Sequence, residues 1–156
     1  MNLITEGWII GVSSKGSRET ISPMDITGNW IDIAEPRPDF RGAIYQFLIG
    51  LLQLSMAPED EDEWRELYQE LPSRDDLAKA FSPYQNAFEL EADGPAFMQD
   101  LLLLKTANLE PNQNSVRDLL IDAGSDSNLY FNKHKEDFAL CESCFAQALF
   151  TLQINA

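Results

Sequence analysis

The pattern of apolar and polar positions predicts a short strand pair at the start of the chain. Residues 7–12 (Gly-Trp-Ile-Ile-Gly-Val) are rich in β-branched and aromatic side chains, and residues 18–21 return in extended form after a Ser-Ser-Lys-Gly-Ser turn. Ser22, Pro23 and Asp25 read as a helix start, a hydroxyl cap with proline at the first position; Gly28 and Asn29 keep that helix short. Pro36-Arg37-Pro38-Asp39 announces the main helix over 39–56, with Asp39 as its cap. From Phe40 to Met56, 11 of 17 residues are apolar and cover more than one stripe, which predicts a helix buried on most sides. Gly50 is expected to be a close-packing point within it.

Pro58 ends that element. The acids at 59–63 open a second helix carrying Trp64, Leu67, Tyr68 and Leu71, and carboxylates in a first turn suit the positive end of the helix dipole. Ser73 with Asp76 forms a capping box for a third helix ending at Phe81. Residues 88–92 and 96–99 are expected as short extended pieces around an Asp93-Gly94-Pro95 turn. A short helix capped by Asn114 or Ser115, a polar loop over 122–128 and an extended piece over 129–132 follow. From 139 or 141 to 152, Phe145, Ala148, Leu149 and Leu152 keep helical spacing. The expected fold is α+β in a single domain over 1–156. It has a small N-terminal β-hairpin, a buried central helix, acidic helices, and a terminal helix after a CxxC.

Composition adds limits. With 156 residues, 44% apolar and 24% charged, the chain can bury a core, and a wholly disordered chain or a disulfide miniprotein is excluded. The 26 acids against 11 bases, a net charge of -15, argue against a general nucleic-acid binder, because phosphate contact needs Lys and Arg. Residues 59–100 alone hold 13 acids and 3 bases. That segment is either a solvated helical face or a surface that meets a basic partner protein. The longest charge-free apolar stretch, 42–58, has 17 residues and includes Gln46, Gln53 and Ser55, while a membrane span wants about 20 mostly apolar residues. No basic region and apolar core of a signal peptide stand at the start. The expectation is a cytoplasmic protein with no membrane partner.

Candidate chemistry is sparse. The single histidine, His134, lies between Lys133 and Lys135 and reads as solvated. No nucleophile elbow and no Gly-rich phosphate loop is present, so the chain is not expected to be an enzyme. Cys141-Glu142-Ser143-Cys144 has the spacing by which two thiolates grip one tetrahedral metal, but zinc wants four ligands. The pair awaits a second pair from elsewhere, or is simply two buried cysteines on an amphipathic helix, or is a redox dithiol. Residues 129–135 combine aromatics, an amide and two lysines, the side chains with which a loop approaches a duplex: lysines for phosphates, asparagine for base edges. An exposed loop after a strand has the same look.

Several stretches in order carry a family resemblance. They are Met1-Asn2-Leu3 with Trp8-Ile9, the run from Pro36 through Gln53, Ala57-Pro58-Glu59-Asp60, Gly94-Pro95-Ala96-Phe97-Met98-Gln99, and Leu140-Cys141-Glu142-Ser143-Cys144 leading to Ala148-Leu149-Phe150. Together they are similar to the N-terminal part of the CasA family, the large subunit of the type I-E CRISPR surveillance complex, Cascade. The resemblance implies a part of a larger protein that sits beside the guide RNA among the other Cascade subunits. It implies recognition of the protospacer-adjacent motif on target double-stranded DNA, help in starting unwinding, and recruitment of a helicase-nuclease. It places the family's motif-reading loop on Tyr130, Phe131 and Asn132, with Phe131 standing where the family has an aliphatic residue. Lys133 and Lys135 follow as phosphate contacts. Cys141 and Cys144 match the first pair of the family's metal-binding cysteines, so zinc would find two of its four ligands in this chain. The competing expectation is an acidic protein-interaction module with a structural half zinc site and no direct DNA contact.

Overall fold

The computed structural model describes residues 1–94, 96–99, 120 and 139–155. Strands β1 (Ile9–Ser13), β2 (Arg18–Ile21) and β3 (Trp30–Ile33) form an antiparallel sheet in the order β2-β1-β3. The expected hairpin is present, with Ile9 opposite Ile21 and Val12 opposite Arg18, and Gly16 takes a positive φ of 79° in its turn. The third strand goes beyond the expected hairpin; it pairs Gly11 with Ile33 and Val12 with Asp32. Its Trp30 indole lies across Gly11, where an added Cβ would come within 2.8 Å of the ring, so the middle of β1 accepts only glycine without displacing the tryptophan. Between β2 and β3, Pro23–Asp25 form a 3-10 turn in which the Ser22 backbone N–H and hydroxyl both donate to the Asp25 carboxylate.

Helices α1 (Pro38–Met56), α2 (Glu61–Gln69), α3 (Arg74–Phe81) and α4 (Glu142–Asn155) complete the described elements, giving a mixed α+β fold. Three expectations about α1 are corrected. Arg37, not Asp39, occupies the N-cap position and makes no side-chain cap; Asp39 lies inside the first turn, paired with Arg37 at 2.7 Å. The helix is also not buried on most sides. Phe40, Ala43, Ile44, Phe47 and Leu51 face the core, whereas Tyr45, Ile49 and Leu54 are exposed. Gly50 is not a packing point, since a Cβ there would meet nothing within 4 Å. Gly50→Ala is therefore expected to raise stability by about 0.5–1 kcal/mol, read as a higher denaturant midpoint at unchanged slope, because only the backbone-entropy cost of glycine is removed.

At α3 the expected capping box is present: Ser73 N–H and hydroxyl donate to Asp76, and the Asp76 N–H returns a bond to the Ser73 hydroxyl oxygen. Arg74, the first residue of α3, pairs with Asp25 at 2.7 Å and ties the helix to the turn after the sheet. Burial would raise the Asp25 carboxyl, but the bonds from Ser22 and Arg74 outweigh it and hold its pKa below the usual carboxylate value. That contribution to stability is present at neutral pH and is lost as the pH falls through the lowered value.

The pieces at 88–92 and 96–99 are not strands. Ser82–Phe88 continue α3 as a 3-10 helix, and Glu89 meets Asn2 in an isolated bridge. Ala96 and Gln99 close a tight turn on themselves, with Met98 at a φ of 55°. The N-terminus organises this region from a distance. Leu3 N–H donates to Phe88 O, Leu90 N–H donates to Met1 O, and Phe97 N–H donates to Glu89 O. The buried Asn2 side chain donates to Gln85 O and Glu89 Oε1 and accepts from the N–H groups of Ile4 and Thr5. Around this knot Leu3, Ile4, Trp8, Ile9, Ile44, Phe47, Leu77 and Phe81 form the core.

Of residues 100–119 and 121–138, which would hold the expected helix at 114–121, the loop at 122–128 and the extended piece at 129–132, none is among those described; Leu120 between them is buried beside Phe40 and Ala148.

Candidate functional site

The terminal helix carries the describable part of the predicted site. Helix α4 starts at Glu142, one residue after Cys141, so the CxxC occupies its first turn. The helix is held by its inner face, on which Ala146, Gln147, Ala148 and Thr151 are buried. Phe150 reaches the core and meets Phe47 edge-on, ring centroids 5.5 Å apart. The stripe expected from Phe145, Ala148, Leu149 and Leu152 is thus turned: Ala148 is buried and the other three are half-buried.

Cys141 acts as a sulfur cap. The Cys144 N–H donates to Cys141 Sγ at 3.3 Å, and the two Sγ atoms lie 3.0 Å apart in a thiol–thiol hydrogen bond. Both cysteines are free; Cys141 is exposed and Cys144 half-buried. The bonds from the Cys144 thiol and backbone hold the Cys141 pKa below its ordinary value. Burial, then the neighbouring Cys141 sulfur and the charge of Glu35, push Cys144 up to about 11. In the metal-free chain near pH 8, iodoacetamide is expected to label Cys141 well before Cys144. The lower pKa of Cys141 gives it the larger thiolate fraction, partly offset by the weaker nucleophilicity of a more acidic thiol, so the order of labelling is the readout, checked by mass spectrometry of timed digests. Equal rates at the two sulfurs would contradict this arrangement.

The donor chemistry fits half of a zinc site. Two sulfurs on one helical turn can take one edge of a tetrahedron, and no group of three potential ligands occurs among the described residues. The chain has two cysteines in all, so a four-thiolate set cannot close within it. The other predicted residues, Tyr130, Phe131, Asn132, Lys133 and Lys135, lie outside the described residues, as does His134.

The family model for CRISPR-associated protein Cse1 matches residues 2–156. The chain belongs to the Cse1 family. Among solved structures it is similar to Thermobifida fusca Cse1, with 22% identity and a TM-score of 0.74 over 97% of this chain and 29% of that one. Thermus thermophilus CasA (Cse1) gives 18% identity and a TM-score of 0.73 over 98% of this chain and 30% of that one. Cse1 from Acidimicrobium ferrooxidans gives 21% identity and a TM-score of 0.72 over 97% and 28%. At these identities the likeness is one of fold. The chain spans less than a third of the length of these Cse1 structures. A search of curated protein sequences gave no match.

Sequence reasoning found the thiol pair but not its asymmetry, which depends on Cys144 being half-buried while Cys141 is exposed and hydrogen-bonded. It also placed Trp64, Leu67, Tyr68 and Leu71 on an acidic helix without showing which way they face. In the structure α2 buries none of its residues, although alternating aromatics and acids on so short a helix was the available signal. No helix among the described residues is long and apolar enough to cross a membrane.

Proposed function

We propose that this chain is the N-terminal domain of a Cascade large subunit. In this reading it is non-catalytic and cytoplasmic, and it recognises the protospacer-adjacent motif of target double-stranded DNA. What supports the reading is Cse1 family membership across residues 2–156, a range that takes in the Tyr130-Phe131-Asn132 tip and the CxxC behind it. Asn132 faces base edges in the minor groove, where hydrogen-bond readout is degenerate and suits a short, relaxed motif. Tyr130 and Phe131 shape the tip, and Lys133 and Lys135 hold the backbone. Guide pairing reads the rest of the target, in the division of labour typical of RNA-guided recognition. The domain then helps to start unwinding and to recruit a helicase-nuclease, held in place by the other Cascade subunits and the guide RNA. A zinc ion at Cys141 and Cys144 completes its ligand set from a second pair outside this chain.

The test is the assembled complex with and without Asn132→Ala. Discrimination between a correct and an altered motif is expected to fall about tenfold, the scale of one good base-edge contact, in equilibrium binding to matched duplexes. Equal discrimination by both proteins would remove Asn132 from the mechanism. The acidic-module reading without DNA contact is favoured instead if a basic protein is captured in the absence of nucleic acid while changes at Lys133 and Lys135 leave duplex binding unaltered.

A further inference from the structure

Helix α2 is built to meet something. It has nine residues, no buried side chain, and a stacked Trp64–Tyr68 pair with centroids 5.4 Å apart and planes 8° from parallel. Trp64 is 54% exposed, Tyr68 73% and Leu71 66%. A helix this short is marginal by itself in water. Its local supports are the Asp60 cap, which accepts from the N–H groups of Asp62 and Glu63, and the Arg65 pairs with Glu61 and Asp62. Between α2 and the end of α1 runs an open apolar groove of about 270 Å³, lined by Met56, Pro58, Trp64, Leu67, Tyr68 and Leu71 among others.

The groove continues into a second hollow of about 450 Å³ that shares Met56, Leu67 and Leu71 and is walled by Glu63, Glu66, Glu70 and Asp76. Residues 59–72 hold seven carboxylates and one arginine, and that arginine is already paired within α2. Among the described residues neither Glu66 nor Glu70 has an ion-pair partner. An apolar floor beside an acidic wall selects its occupant. Nucleic acid is repelled by the carboxylates. A second copy related by a twofold would set acidic wall against acidic wall, on a chain of net charge -15.

We propose that this groove docks an amphipathic helical segment of a partner protein, its apolar stripe against Trp64, Tyr68 and Leu71 and its flanking lysines or arginines against Glu63, Glu66 and Glu70. The binding mode is helix-in-groove, with aromatic anchors supplying affinity and the charged wall supplying orientation and partner choice. The proposal is independent of the DNA-contacting tip, since none of its residues lies there.

The test uses the purified chain and fluorescein-labelled peptides of about 18 residues, long enough to span the groove as a helix. One is a Leu/Lys amphipathic helix, one has the same composition scrambled so that no stripe forms, and one is the Leu/Glu counterpart. Fluorescence anisotropy is expected to show saturable binding of the Leu/Lys helix at least about tenfold tighter than the scrambled peptide, with no binding of the Leu/Glu peptide. Trp64→Ala with Tyr68→Ala should weaken it more than about tenfold, and the conservative Glu66→Gln with Glu70→Gln severalfold, with the latter loss shrinking as salt rises. Because these side chains bury nothing in the core, circular dichroism should be unchanged in both variants. Lys133→Ala with Lys135→Ala should leave the binding intact, which separates this proposal from the DNA-recognition reading. The proposal is overturned by equal binding of the scrambled peptide, by unaltered affinity in the aromatic variant, by no binding at all, or by self-association of the chain that the aromatic variant abolishes.

Discussion

Replacing Phe47 with alanine is expected to cost about 3–5 kcal/mol of folding stability, the loss typical of deleting a buried phenyl ring that its surroundings cannot collapse to fill. Phe47 is 4% exposed and stands at the meeting point of four segments distant in sequence. Its ring meets Trp8 at 5.1 Å, Phe88 at 5.7 Å, Phe97 at 5.8 Å and Phe150 at 5.5 Å, all edge-to-face. Each such geometry adds about 0.5–1.5 kcal/mol beyond the area buried. Domains of this size have about 5–15 kcal/mol in total, so the variant should lie near its unfolding threshold. Urea unfolding of wild type and variant measures the loss. Tyr68→Ala, on the exposed helix α2, should change stability by no more than about 0.5 kcal/mol in the same assay. The variant also has a local readout. Phe47 and Phe97 are the aromatic seats of Phe150, so α4 should loosen and half-buried Cys144 should gain alkylation rate relative to Cys141. A loss below about 1 kcal/mol with unchanged thiol rates would mean that α4 does not dock on α1 as described.

That cluster also marks the boundary of what was legible in the sequence. Local chemistry was readable: the β1–β2 hairpin followed from β-branched residues around a glycine turn, and α3 followed from Ser73 and Asp76. Long-range decisions were not. An almost continuous apolar run shows that α1 is a helix near the core, but which third of it is buried depends on where Trp8, Phe88 and Phe150 arrive. Residues 88–92 read as a short extended piece, and 88–90 do pair through the backbone, yet their partner is the N-terminal segment at Met1 to Leu3 rather than a neighbouring strand. The short β3 has no alternation of its own and is defined by pairing to the central strand β1. The same division holds at the site. The CxxC spacing is a sequence signal, whereas the split of its two thiol pKa values arises from the hydrogen bonds that reach exposed Cys141 and from the burial of Cys144. The DNA-contacting role proposed for Tyr130 to Lys135 rests on family resemblance, since an aromatic, an amide and two lysines alone describe many loops.

On the proposed reading, Lys133→Ala with Lys135→Ala should weaken binding of the assembled complex to every duplex alike, on the order of 30-fold near physiological salt. The reasoning is electrostatic. Each lysine that neutralises a phosphate releases condensed counterion, adding about 0.9 to the slope of log affinity against log salt, and two such contacts together account for the loss. A domain of net charge -15 makes these contacts count, because the surrounding carboxylates oppose approach to DNA and few other cations are available to compensate. The signature differs from that of Asn132→Ala. The lysine variant should lower the salt slope by roughly 1.8 and leave the ratio between correct and altered motifs intact, whereas the asparagine variant should do the reverse. Titrations at several salt concentrations on both duplexes separate the two. An unchanged slope would place Lys133 and Lys135 away from phosphate, and a changed motif ratio would move them from holding the backbone to reading the bases.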